Sequence, residues 1–251
     1  MKVMLLAAGR GERMRPLTDE TPKALLPAGG RAVVEWLIDR LAAAGLRELV
    51  VNTAHLGWKI ERALGDGARF GVRIEYSREA EALETAGGIA TALPLLGPAP
   101  FIAVNADLHT DYPFARLRAA LIENALAHLV LVANPQHHPD GDFALAAGML
   151  ANAGAPMLTF SGIGVYHPAL FASVARGTSA RLAPLLREAA AHGRITGEHY
   201  RGRWRDIGTP ERLATLDAEL RRAPPDDVVA PCDEPAKPLA RRTPGTENPD
   251  T

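Results

Sequence analysis

Residues 3–8 (VMLLAA) form an uninterrupted apolar run that begins near Met1 and stops at Gly9. A run this short, bounded by glycine, predicts a strand buried on both faces, and such strands belong to parallel sheets covered by helices on each side. Next comes Gly9-Arg10-Gly11-Glu12-Arg13-Met14-Arg15-Pro16-Leu17, with two glycines and three arginines closed by a proline. Gly9 and Gly11 are expected to bend the chain with positive φ and bring backbone N–H groups close to a ligand. Arginine presents a planar fork suited to phosphate oxygens. A buried strand ending in such a loop predicts a nucleoside triphosphate site. The two best-known phosphate loops do not fit. Met14 stands where a dinucleotide fingerprint needs its third glycine, and no Gly-Lys-Ser/Thr follows for a P-loop.

The periodicity downstream alternates between helix and strand. Val33, Val34, Leu37, Ile38 and Leu41 recur at helical spacing within 32–44, and Gly45 stands where a C-cap glycine belongs. Strands are predicted over 46–52, 72–76, 101–104 and 128–133, with helices over 58–64, about 83–93 and 114–125. This β–α–β order implies right-handed crossovers and a largely parallel sheet. Ligands in such sheets sit beyond the carboxyl ends of the strands, where strand order reverses. The Gly9 loop, Asn52, Thr85 and Asp107 all fall just past predicted strand ends, so they are expected to share one site. After residue 134 come a polar turn (137–142), a weak hairpin (144–155), a glycine-bearing strand (158–166), a helix (181–191), one long strand (195–207) and a helix (211–222) with Thr209 as its N-cap. The last segment, 223–251, holds seven prolines and no apolar periodicity, so it is expected to be a disordered tail. Residues 1–222 are read as one domain, with 1–133 a nucleotide-binding half and 134–222 a sugar-binding half.

Composition narrows the class. A net charge of −1 argues against a broad nucleic-acid surface. The single cysteine, Cys232, rules out an internal disulfide and a cysteine metal cage. No apolar run approaches the ~20 residues of a membrane span, and there is no signal peptide before the first strand, so a cytoplasmic enzyme without a membrane partner is expected. Adjacent His137 and His138 lack the i, i+4 spacing that converges on zinc. Nothing resembles a G-x-S-x-G elbow.

The pattern L-A-A-G-x-G-x-R-M-x-P-L-T with Thr21-Pro22-Lys23 resembles the signature of the sugar-1-phosphate nucleotidyltransferases. The resemblance extends through Glu84-Thr85-Ala86-Gly87-Gly88, Asn105-Ala106-Asp107, 160–166 and Trp204-Arg205-Asp206-Ile207-Gly208-Thr209-Pro210, about 220 residues in all. It implies an α/β fold: a Rossmann-like, three-layer nucleotidyltransferase of GT-A type with a mixed, mostly parallel sheet. Asn-x-Ala-His-Leu-Gly (52–57), Leu-Glu-Thr-x-Gly-Gly-Ile (83–89) and Gly-Glu-His-Tyr-Arg-Gly-x-Trp (197–204) are similar to the subgroup that joins UTP to N-acetylmuramate 1-phosphate in peptidoglycan recycling.

The implied reaction brings two polyanions together, so positioning and charge neutralisation dominate. By the resemblance, Mg²⁺ is the cofactor and Asp107 and Asp206 its ligands. Arg15, Lys23 and Asp107 are the catalytic candidates: Arg15 neutralises the leaving phosphates and Lys23 bridges the α-phosphate. Ala8, Gly9, Gly11, Arg13, Thr85 and Gly87 would face the nucleotide, with Glu79 or Glu81 near the base. Asp142, Ser161 and Gly162 would contact the sugar. One of Arg201, Arg203 and Arg205 is the candidate for the lactyl carboxylate of a muramate, equally readable as a solvated basic edge strand. A monomer is expected, because nothing C-terminal resembles the β-helix domains that trimerise some relatives.

Two departures from the family pattern stand out. Ala106 occupies a place usually held by glycine, at a cost of roughly a kcal/mol if that position needs positive φ. A Glu-Lys-Pro motif that other members use for the sugar phosphate is missing. The remaining alternatives are a mannose-1-phosphate guanylyltransferase or glucose-1-phosphate thymidylyl- or uridylyltransferase, and a non-catalytic nucleotide-sugar sensor.

Overall fold

The computed structural model describes residues 1–222, and the predicted tail lies outside them. The opening apolar run forms β1 (Val3–Leu6), with Ala7 and Ala8 already in the loop. A 3₁₀ turn (Glu12–Met14) and the short α1 (Leu17–Glu20) carry the chain to a small hairpin, β2 (Pro27–Ala28) and β3 (Arg31–Ala32). Then α2 (Val33–Ala43), β4 (Glu48–Thr53), α3 (Gly57–Leu64), β5 (Arg73–Arg78), α4 (Glu84–Leu96) and β6 (Phe101–Asn105) alternate as the periodicity predicts. Next come β7 (Leu108–Thr110), β8 (Ala127–Val132), the hairpin β9 (Phe143–Ala146) and β10 (Met149–Ala151), and the long β11 (Met157–Tyr166). The chain ends with α5 (Leu182–Ala191), β12 (Ile195–His199), β13 (Trp204–Asp206) and α6 (Pro210–Arg222).

Nine strands make one sheet in the order β5-β4-β1-β6-β11-β8-β12-β10-β9. The block β5-β4-β1-β6 is parallel, and antiparallel β11 separates it from the parallel pair β8–β12. The sheet is therefore mixed, as expected. Strands from both sides of residue 134 share it, so the nucleotide and sugar halves have no separate cores. Alternation sends Leu5, Val51, Ile102 and Val130 to the face covered by α2 and α3. Met4, Val50, Ala103 and Leu129 go to the face covered by α4 and α5. Burying roughly 1.5–3 kcal/mol of side chain at each such position on both faces fixes the strand register, because a one-residue slip would exchange the two sets. A third, smaller core under the loop joins Met14, Leu26, Val33, Ile207 and Leu216.

Three elements depart from the sequence reading. The helix expected over 114–125 is a 3₁₀ turn, Phe114–Ala119, with Phe114 and Leu117 buried. The three-residue strand β7 escapes a periodicity window altogether. The single strand expected over 195–207 breaks into β12 and β13. Tyr200 turns into the core there, and its hydroxyl donates to buried Asp111, which Arg203 Nε also meets at 3.2 Å. β13 leaves the main sheet and pairs antiparallel with β7.

Candidate active site

Strand order reverses between β1 and β6, since β1 leads on to β4 and β5 on one side while β6 lies on the other. A cleft of about 630 Å³ opens beyond the carboxyl ends of these strands. Its walls include the loop from Ala7 to Met14, together with Lys23, Asn52, Glu79, Thr85 and Asp107. A second cavity of about 340 Å³ adjoins it, and Leu6, Glu84, Thr85 and Asn105 line both.

The loop is built from local contacts. Gly11 adopts φ +67°, and a Cβ there would lie 3.0 Å from Thr18 Cγ2 and 3.2 Å from Lys23 Cβ. Only glycine fits without strain. Thr18 donates from Oγ1 to the Gly11 carbonyl at 2.8 Å, pinning the turn. Gly9 differs from expectation: it has no positive φ, and a Cβ there meets nothing within 4 Å. Its backbone faces open cleft.

The arginines separate. Arg10 and Arg13 lie on the cleft lining, whereas Arg15 does not. The 3₁₀ turn buries Met14 as its anchor, and Arg15, just past it, pairs with Asp19 at 2.6 Å. Of the two, Arg13 therefore lies on the cleft, while Arg15, expected to face phosphate, braces α1.

Lys23 forms an ion pair with Asp107, and both side chains are largely buried. A lysine ammonium and a carboxylate thus meet at the cleft floor. Ala106 has no positive φ and is buried, so alanine costs no backbone strain there. Asp206 reaches the same region through the β7–β13 ladder, in which Ile207 N donates to the Asp107 carbonyl at 3.2 Å. Its carboxylate is outside the cleft lining, however, with Arg212 Nη1 at 2.6 Å from both oxygens. Mg²⁺ takes one or two carboxylates and completes its shell with phosphate and water, and Asp107, just before β7, offers one such carboxylate on the cleft lining. Among the described residues no three His, Cys, Asp or Glu side chains are grouped to hold a metal.

Asn52 and Glu79 organise the far wall. Asn52 Oδ1 accepts from Ala7 N at 2.8 Å, its Nδ2 donates to Glu79 Oε1 at 2.7 Å, and Glu79 Oε2 accepts from Leu83 N at 3.0 Å. The ends of β1, β4 and β5 and the start of α4 are thereby tied together. Gly87 takes a different role from the one expected: its N–H donates to the Ala180 carbonyl at 3.1 Å, and a Cβ would clash at 2.2 Å with the Thr178 carbonyl. It leaves room for a neighbouring backbone and is not on the cleft lining.

The sugar-side candidates also divide. Gly162, with φ +80° at a bulge in β11, lines the second cavity, and a Cβ would collide with Asn105 Nδ2 at 2.5 Å. Asp142 lines it too, but its Oδ2 accepts from Phe160 N at 2.8 Å. Ser161 is buried, donating to the Val130 carbonyl at 2.7 Å, and is absent from the lining. The odd-numbered arginines of 201–205 line neither cavity; Arg203 meets Asp111, and Arg205 Nη2 lies 3.2 Å from Glu219. Glu84 and Arg181, which the motif reading leaves without a role, stand in the second cavity instead. A residue brought in from the start of α5 carries no local signal of its place.

A Gly/Arg loop and a lysine–carboxylate pair in a cleft at the switch point of an α/β sheet, beside a second cavity, define a nucleotide-binding transferase. Residues 2–147 match the nucleotidyl transferase family, and the chain belongs to it. It is 50% identical to N-acetylmuramate alpha-1-phosphate uridylyltransferase of Neisseria meningitidis serogroup B, over 87% of this chain and 97% of that one. It is 35% identical to the protein of the same name from Caulobacter vibrioides, over 88% and 97%. The fold matches the crystal structure of HddC from Yersinia pseudotuberculosis complexed with GMP-PN, with a TM-score of 0.73 at 16% identity, covering 87% of this chain and 98% of that one.

Proposed function

We propose that this enzyme transfers a uridylyl group from UTP to N-acetylmuramate 1-phosphate, releasing pyrophosphate. The observation that carries the reading is the shared wall: a polar cleft and an adjoining, more apolar cavity meet at Leu6, Glu84, Thr85 and Asn105. Two substrates can therefore lie end to end, and the relatives' names supply their identity. UTP occupies the larger cleft, with its phosphates along the Gly9–Arg13 loop. The sugar occupies the smaller one, with its 1-phosphate at the junction.

An oxygen of the sugar phosphate attacks the α-phosphorus in line. A P–O bond forms, the bond to the β-phosphate bridge oxygen breaks, and pyrophosphate departs with its electron pair. Lys23 is a compact point charge placed to bridge the two phosphates as negative charge builds. Arg13 neutralises the leaving group. Asp107, with Asp206 once released from Arg212, would hold Mg²⁺, which would supply charge neutralisation at the phosphates when bound. Lys23 and Asp107 hold each other in position before substrate arrives, so little reorganisation is needed at reaction. The product serves peptidoglycan recycling in the cytoplasm.

The test is a matrix of UTP, CTP, GTP and dTTP against N-acetylmuramate, N-acetylglucosamine, glucose and mannose 1-phosphates, with Mg²⁺ and with EDTA. UTP with N-acetylmuramate 1-phosphate should lead by at least ~10-fold in kcat/KM, about 1.4 kcal/mol. A lead for GTP with mannose 1-phosphate would overturn the reading, as would turnover that EDTA leaves intact.

A further inference from the structure

The smaller cavity is walled mainly by apolar side chains, among them Phe143, Phe160, Tyr166, Leu182 and Leu186. Its charged lining residues are Glu84, Asp142 and Arg181. A muramate differs from a glucosamine by a lactyl ether that ends in a carboxylate. Two acids on the rim of an apolar cavity disfavour a further carboxylate, because like charges repel. Admission requires a cation, and Arg181 is the cation of this lining among the described residues.

The acids are accounted for. Asp142 fixes the edge of β11 through Phe160 N at 2.8 Å and lies 3.1 Å from His138 Nε2. Glu84 faces Arg181, with Oε1 at 3.9 Å from Nε. That separation exceeds hydrogen-bonding distance, so Glu84 meets the guanidinium through charge alone and leaves its fork open to a carboxylate. Glu84 holds φ +58° at the entry to α4, a left-handed conformation that a non-glycine residue adopts at a cost. This strained residue is one of the four that line both cavities, and it faces Arg181.

Resting on the uridylyltransferase reading above, we propose that Arg181 determines sugar specificity by binding the carboxylate carried on the substrate's sugar ring, and that Glu84 positions Arg181 for it. A guanidinium matches a carboxylate bidentately, whereas an N-acetylglucosamine phosphate presents only a hydroxyl at the same carbon.

Steady-state kinetics with UTP and either N-acetylmuramate 1-phosphate or N-acetylglucosamine 1-phosphate test this. The wild type should prefer the muramate by at least ~10-fold in kcat/KM. Arg181→Gln should bring that ratio to about 1, through a KM for the muramate raised at least ~10-fold while kcat stays within about 3-fold. Arg181→Lys should keep part of the preference, since charge survives and the fork does not. Glu84→Gly should shrink the ratio less than Arg181→Gln. A preference that survives Arg181→Gln, or an equal loss with both sugars, overturns the role of Arg181 and leaves the uridylyltransferase reading standing. A wild type without preference overturns both. Arg181 is exposed, so the melting temperature of Arg181→Gln should stay within about 2 °C of wild type.

Discussion

Asn52 donates from Nδ2 to Oε1 of Glu79 at 2.7 Å, across 27 positions of sequence, in a contact buried beneath the cleft wall. Gly88 lies against this pair: a Cβ there would stand 2.7 Å from Glu79 Oε1 and 2.9 Å from Asn52 Nδ2. Gly88→Ala should therefore force the pair apart and leave buried polar atoms short of partners. A loss of about 1–3 kcal/mol is expected, with a melting temperature several degrees lower and a raised KM for UTP. An unchanged thermal transition would show that the wall can shift to admit the methyl group.

Asp107→Asn keeps the shape at the cleft floor and removes the charge that meets Lys23. We expect kcat to fall at least ~10²-fold with the fold intact by circular dichroism. Turnover near wild type in saturating Mg²⁺ would remove Asp107 from the catalytic set.

Arg13 and Arg15 should separate in mutagenesis as they do in space. Arg13→Gln, on the cleft lining, should lower kcat/KM for UTP by at least ~10-fold. Arg15→Gln, which breaks only an exposed pair with Asp19, should cost under about 1 kcal/mol of stability and less than 3-fold in kcat/KM. The reverse order of effects would return the phosphate role to Arg15.

Acid should destabilise the protein through histidine. Burial, aided by the Arg40 and Arg203 charges, lowers the pKa of His109 from 6.5 to about 4, and burial also lowers His128 and His199. Above pH 6.5 these groups are neutral in both states and contribute no slope. Between about pH 6.5 and 4 the unfolded chain protonates His109 and the folded chain does not, so stability falls as pH falls, by up to ~1.4 kcal/mol per pH unit from this residue, and the lowered His128 and His199 act in the same direction. Urea midpoints measured from pH 8 to 4.5 should show this decline. His109→Gln should flatten it, and an equal slope in that variant would exclude His109 as a source.

Much of the architecture is written in local pattern. Val3–Leu6 is apolar at every position and becomes a buried strand; 32–44 repeats at helical spacing and ends at Gly45, whose φ is +73°. The loop glycines, Asn52, Thr85 and Asp107 fall after predicted strand ends, and the chain's α/β alternation suffices to gather them at one edge of a sheet. These features are legible because periodicity, turn chemistry and crossover handedness act between near neighbours in sequence. The tertiary structure alone decided the rest. It inserts β11 between β6 and β8, breaks 195–207 at Tyr200, turns Arg13 inward and Arg15 outward, and sets Arg181 against Glu84. It also gives Gly87 to the backbone of Thr178 and Ala180 and withdraws Ser161 into the sheet. An arginine or glycine presents the same local signal whichever way it faces. Its role depends on which distant segment packs against it, and that choice is made by burial summed over the whole core.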